Sequence, residues 1–355
     1  MLTKKAIFML LIVLSMGTLI HAQSNSTIVF ATRPNFIDPD TGESPEMLHI
    51  YTLEDEGYEV IQFYNASLST AEQATLDTLY NANLIIIGRS IPSLDCGNHK
   101  EAWNSIPTPI LCLEMWAIRN SRLNWLNTTA ITNNTEEGVY AYATIDVPDD
   151  PVFEGLDTSA PVPWMISPYD VMGVTEAGNG TVLARMESDS TVLFVRWEPD
   201  VEFYDGSVDY PAGHRTLIGN GRDNSSAAPF DYYNFTEESE QVFLAEVARL
   251  VALGGGSAVK DREKTTTPST LVLSQNYPNP FNPSTTIQFS LPVRSDVRLI
   301  LVNLLGKVVE DIATGTYEAG THQVRFDAFN LSTGVYFYRL EANGFMAVKK
   351  LILMK

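Results

Sequence analysis

An α/β fold with a parallel sheet and an antiparallel extension, followed by a small all-β sandwich, is what the sequence predicts. Three observations predict it. Short apolar runs alternate with helix-period segments from Ser26 to Glu114. Within them Leu84–Ile87 reads LIII, the unbroken apolar run of a strand buried on both faces. From Ser274 to Lys355 the helical period disappears, and about seven short strands separated by turn residues take its place.

Taken in order, STIVFAT (residues 26–32) is the first strand, and it runs out into the polar loop RPNFIDPDTGESP. PEMLHIYTLEDEG has apolar residues at helical intervals, Met47, Leu48, Tyr51 and Leu53, with Gly57 as its stop. VIQFYN is a strand, and SLSTAEQATLDTLYNA is a helix opened by Ser69 with Glu72 as a capping box. NLIIIGRS, HKEAWNSI and PTPILCLE follow as strand, helix and strand. Such an order calls for parallel strands with right-handed crossovers. After residue 135 the pieces become β-rich: VYAYATI, DVMGVTE, GTVLARM, TVLFVRWE and HRTLIGNG. TEESEQVFLAEVARLVAL closes the region as an amphipathic helix, acidic in its first turns and ended by Gly254-Gly-Gly. GGGSAVKDREKTTTPST is a polar linker. The expected division is a unit over 26–253, a linker over 254–273 and a second unit over 274–355.

The first residues, MLTKKAIFMLLIVLSMGTLIHAQS, place Lys4 and Lys5 before an apolar run and Ala22 before a polar exit. This is the layout of a secretory signal spanning residues 1–22, too short in its apolar run to span a bilayer. No other segment approaches that length, so the mature chain is expected to be exported and to lack a membrane span. Charge is uneven: residues 23–255 hold 35 acidic against 10 basic side chains, whereas residues 274–355 hold 6 against 8. A field of that sign repels phosphate backbones and argues against nucleic acid as a partner. Lys100 is the sole lysine of the acidic region, so its basic groups are mostly arginines, suited to forked hydrogen bonding.

Cys96 and Cys112 are the only cysteines. They could close a loop worth roughly 3 kcal/mol in an exported protein, or Cys112 could be a thiol buried on a strand with Cys96 in a loop. The five histidines have no paired spacing and Asp38 to Glu43 fails the calcium-loop template, so no metal and no cofactor is expected. Sequons at Asn65, Asn127, Asn179, Asn224 and Asn234 read as surface loops in a host that glycosylates asparagine. Ligands of open parallel sheets bind beyond the carboxyl ends of the strands. That rule nominates Arg33 and Asn35, Arg89 and Ser90, Glu114 and Trp116, and, from GNGRDNSS, Asn220, Arg222 and Asp223. Arginines, acids and an aromatic plane suit sugar hydroxyls or a carboxylate.

The opening α/β half, DDPVFEGL (residues 149–156), WEPDVEFYDG with GHRTLIGNG, and the helix after YYNFTEESEQ together resemble the class I glutamine amidotransferase-like superfold. The likeness is greatest to its trehalose-utilisation (ThuA-like) branch and implies a flavodoxin-like sheet. Amidotransferases of this superfold use a cysteine on a glycine-flanked elbow with a histidine and a glutamate. Here Cys112 stands in ILCLEMW without flanking glycine, and His214 stands in GHRTL, outside the expected place. Cys112, Glu114 and His214 are thus catalytic candidates only for a departure from the family pattern.

NYPNPFNPSTTIQFSLP, VNLLGKVV, GTHQVRFDAFNLSTGVYFYRLEA and the terminal KKLILMK resemble the type A C-terminal sorting domain of the type IX secretion system of Bacteroidota. By its strand pattern alone this region would be an immunoglobulin-like sandwich. The resemblance implies, through residues 274–355, partnership with the type IX translocon and its sortase, removal of the tail near the linker, and release or surface attachment. The sequence therefore reads as a secreted or outer-membrane-surface protein whose amidotransferase-like domain recognises or processes extracellular carbohydrate without a thiol triad. Two other readings stay open, a hydrolase using Cys112 or strand-end carboxylates and a structural or adhesive surface protein.

Overall fold

Four short apolar strands form the middle of the molecule. The computed structural model describes residues 26–32, 46–63, 68, 73–129, 131–132, 140–166, 171–220, 233–254, 271–303 and 307–355. The signal segment, the capping box and the loop containing Asp38 to Glu43 lie outside the described residues. In chain order come β1 (Thr27–Ala31), α1 (Met47–Asp55), β2 (Glu59–Phe63), α2 (Gln73–Asn81), β3 (Leu84–Ile87), α3 (Ser93–Asn98), α4 (Lys100–Asn104) and β4 (Ile110–Cys112). The strands pair in the order β2-β1-β3-β4, all parallel. Every residue of β1 and β3 is buried. Alternation decides which face each meets. Ile28 and Phe30 join Ile50, Leu53 and Phe243 on one side of the sheet. Val29 and Ala31 join Leu79, Trp103 and Cys112 on the other.

Helix α1 ends where Gly57 takes a φ of 89°, a left-handed turn that costs glycine nothing. Its inward face differs from the expected one: His49, Ile50 and Leu53 are buried, while Leu48 is 41% exposed.

The β-rich half contributes β5 (Ile131–Thr132), β6 (Ala141–Ile145), β7 (Val162–Met165), β8 (Val171–Met172), β9 (Thr181–Met186), β10 (Val192–Trp197) and β11 (Arg215–Ile218). β11 lies parallel to β4, and β10, β9, β6 and β7 continue the sheet antiparallel. β5 and β8 form a separate antiparallel pair. Helix α5 (Glu237–Gly254) covers the sheet with Val242, Phe243, Val247, Leu250 and Val251. Each such side chain stabilises the fold by about 1.5–3 kcal/mol relative to exposure. Three acidic residues in its first turn, Glu237, Glu238 and Glu240, oppose the positive end of the helix dipole.

One polar network ties three distant segments together. Asp150 accepts from Val152 N at 3.1 Å, capping a 3₁₀ turn, and from Arg196 Nη1 at 2.6 Å. Arg196 Nη2 also donates to Glu246 of α5 at 2.6 Å, and Thr216 Oγ1 donates to the same carboxylate at 2.7 Å. DDPVFEGL, the β10–β11 segment and the closing helix are thus held by one set of charges. Arg215, fully buried, donates instead to backbone carbonyls, among them Ile106 O at 2.7 Å and Asn104 O at 3.1 Å. Burial pushes its guanidinium down to about 9.

The last region contains β12 (Val272–Leu273), β13 (Ser284–Leu291), β14 (Ser295–Val302), β15 (Val308–Tyr317), β16 (Gly320–Asp327), β17 (Gly334–Ala342) and β18 (Phe345–Leu353). β12, β13 and β16 make a three-stranded antiparallel sheet. β15-β14-β17-β18 continue instead into the large sheet, because β18 pairs antiparallel with β2. The result is a mixed sheet of 13 strands. The asparagines of QNYPNPFNP pin the chain more than they shape turns. Asn276 donates to Pro278 O at 3.0 Å and Thr285 Oγ1 at 2.9 Å. Asn279 Oδ1 accepts from Ile352 N at 2.9 Å, and buried Phe281 exchanges backbone hydrogen bonds with the end of β18. Tyr338 Oη donates to Ser274 O at 2.7 Å and accepts from Asn276 N at 2.8 Å.

Candidate functional site

The parallel strands all point their carboxyl ends the same way, so the residues that follow them gather on one rim: Thr32, Gly88 to Ser90, Glu114 and Asn220. Gly88 has to be glycine. A Cβ there would stand 2.5 Å from the Phe30 ring and 2.7 Å from Glu46 Oε1. Its absence lets the backbone close in, and Ser90 N donates to Glu46 Oε1 at 2.6 Å. Ser90 Oγ in turn lies 2.9 Å from Thr32 Oγ1.

Glu46 immediately precedes α1 and, like His49, is fully buried. Glu46 Oε2 stands 3.2 Å from His49 Nδ1, at ion-pair distance but off the axis of a hydrogen bond. On the other side of the ring Asn220 Nδ2 lies 3.4 Å from Nε2. Phe30, Tyr233, Phe235 and Phe243 surround the imidazole, with Tyr233 nearest at 4.7 Å between centroids. The composition did not point to this pair; the signal that could have found it is Glu and His three residues apart at a helix start.

Arg89 is buried with its Nη1 3.3 Å from Leu113 O and 3.6 Å from Glu114 Oε2. Glu114 Oε1 accepts from Trp116 N at 2.9 Å. The half-buried Trp116 carries the Arg119 guanidinium over its ring at 4.6 Å, and Arg119 Nε donates to Trp116 O at 3.0 Å. Arg89, Ser90, Glu114, Trp116 and Asn220 therefore do share the rim. Arg33, Asn35, Arg222 and Asp223 lie outside the described residues.

The catalytic candidates are arranged differently. Cys112 is buried inside β4 and its Sγ donates to Glu114 O at 3.4 Å. Burial drives this thiol well above the ordinary thiol range, and the neighbouring Cys96 and Glu114 add to the shift. Cys96 is in α3, not in a loop, is equally buried, and both thiols are free. His214 lies at the amino end of β11 beside Ile110, with Nδ1 3.2 Å from Glu198 Oε2. Burial lowers its pKa against the pull of Glu198. Cys112 keeps its sulfur on Glu114 O and His214 keeps its ring on Glu198, so the three candidates form no hydrogen-bonded triad. Of the sequons within reach, Asn234 is buried rather than displayed on a loop, whereas Asn179 is exposed.

Among the described residues no group of three or more His, Cys, Asp and Glu could hold a metal ion, and no helix is long and apolar enough to cross a membrane. No curated protein matches the chain. Among solved structures, a cytoplasmic protein from Salmonella typhimurium is similar at 10% identity and a TM-score of 0.36, over 63% of this chain and 98% of that one. Dimeric latent PorU from Porphyromonas gingivalis is similar at 12% identity and a TM-score of 0.21, over 63% of this chain and 17% of that one. Residues 275–354 match the family model of the secretion system C-terminal sorting domain. These residues are a type IX sorting tail, and the protein that carries them is secreted or displayed at the cell surface.

Proposed function

We propose that the region ahead of the tail, residues 26–253, is an extracellular recognition domain of amidotransferase-like, ThuA-like fold that binds carbohydrate at the strand-end rim without covalent catalysis. In this reading residues 254–273 are the linker, the tail is an immunoglobulin-like sandwich read by the translocon, and the sortase removes it near the linker. The parallel order β2-β1-β3-β4, which is that of flavodoxin-like sheets, supports the fold. The observation that carries the functional reading is the burial of Cys112: a protonated thiol held on a carbonyl cannot act as a nucleophile. Trp116 with Arg119 over it, beside Glu114, offers an aromatic plane, forked donors and an acceptor.

A glycan array probed with the full chain tests the proposal. Binding that survives Cys112→Ser and falls at least about tenfold in Trp116→Ala, the loss of roughly 1.4 kcal/mol, is the expected result. Absence of any bound glycan overturns the carbohydrate reading, and glycan hydrolysis abolished by Cys112→Ser overturns the non-catalytic one.

A further inference from the structure

β2 is the outer strand of the parallel block, and an outer strand left bare presents a row of unpaired backbone groups. Here the last strand of the tail occupies it. Phe345 pairs with Phe63 and Met346 with Gln62, antiparallel, and the Phe63 and Phe345 rings stack at 4.9 Å. Both rings are buried, and a single apolar cluster runs from Val29 and Ile61 through Phe63 and Phe345 to Leu351. The paired register ends at Met346, and beyond it Lys349 stays near enough for its charge to act on Glu54 and Glu59. The charges match this placement. Glu54, Asp55, Glu56 and Glu59 line the end of α1 and the start of β2, whereas β18 carries Lys349 and Lys350 beyond its paired residues. Burial raises the Glu54 and Glu59 carboxyls, and the charge of Lys349 offsets part of that rise.

We propose that the β18–β2 pairing is a docking interface that folds the sorting domain back onto its own cargo, and that the export machinery has to lift β18 from this acidic edge before it can use the tail. The inference rests on the export reading of residues 275–354 and adds to it a gate built from this chain's own residues.

Glu59→Lys leaves the tail untouched and sets like charges across the edge. In the purified full chain, amide exchange at Gln62, whose backbone faces β18 while Phe63 faces β1, is expected to quicken by roughly threefold, the scale of one partly screened charge contact. Export to the medium, followed in growing cells by pulse labelling, is expected to quicken as well. Adding Lys349→Glu restores opposite charges at the two positions, with reversed signs, and returns both readouts toward wild type. Unchanged exchange in Glu59→Lys overturns the docking interface, and quicker exchange without quicker export overturns the gate. Failure of the wild-type chain to leave the cell refutes instead the export reading beneath it.

Discussion

Replacing Glu246 by alanine should cost this protein more than any surface change of charge. The carboxylate is fully buried on α5 and accepts from Arg196 Nε and Nη2, from Arg249 Nε and Nη2 and from Thr216 Oγ1, at distances between 2.6 and 3.2 Å. Removing one partner of a buried ion pair costs about 3–5 kcal/mol, because the remaining charge is left desolvated. Arg196 keeps Asp150, which places the expected loss near the lower end, about 3 kcal/mol. For a unit of this size that is a fall in melting temperature of roughly 6–12 °C, at about 2–4 °C per kcal/mol. Thermal unfolding followed by circular dichroism reads it. Glu198→Ala is the control, since Glu198 is 63% exposed and its pair with His214 should be worth about 1 kcal/mol or less. A second variant, Arg196→Met, completes a double-mutant cycle in which the two losses should fall well short of additive. A drop below about 1 kcal/mol in Glu246→Ala, or strict additivity with Arg196→Met, would refute the claim that this network ties the three segments together.

Acid should act on the same network. Burial raises the Asp150 carboxyl, but the hydrogen bonds from Arg196 and Val152 N and the charges of Arg196 and Arg249 outweigh it, so its folded pKa lies below the ordinary value. A depressed folded pKa means stability that is complete above the unfolded value, near 3.9, and is lost as pH falls through the folded one. Asp150→Asn should therefore be less stable than wild type at pH 7, with the gap closing below about pH 4 in acid titrations; a gap that persists in acid would contradict the assignment. The two thiols give a chemical check. Neither Cys96 nor Cys112 should react with a thiol reagent in the native chain, and both should react in denaturant without reductant. Labelling in the native state would contradict the burial of Cys112, and no labelling after unfolding would reveal a bridge.

What the sequence announced and what it hid follow from the range of the forces involved. β1 and β3 were legible because burial on both faces writes an unbroken apolar run, and the strand-end positions of Arg89, Ser90 and Glu114 were legible because each follows such a run. The face of α1 was not. In a helix of nine residues the apolar period competes with polar contacts made after folding. Ser90 N fixes Glu46, and a wall of aromatic rings takes in His49 while Leu48 is left outside. β11 carried no mark that distinguishes a parallel neighbour of β4 from one more antiparallel strand, because its four residues are apolar or buried polar under either pairing. The pairing of β18 with β2 joins segments nearly 300 residues apart, a distance at which strand partners leave no local pattern.

The grip of Asn279 and Phe281 on the final residues of β18 also sets a timetable. A ribosome makes the opening of the tail roughly 70 residues before it makes the strand that opening closes upon. The early strands can pair with each other as they emerge, yet the tail can lock only when Ile352 and Leu353 arrive. A nascent chain broken off shortly before that point carries most of the tail's letters with its ends unfastened, so the tail closes fully only on chains made through to their last strand.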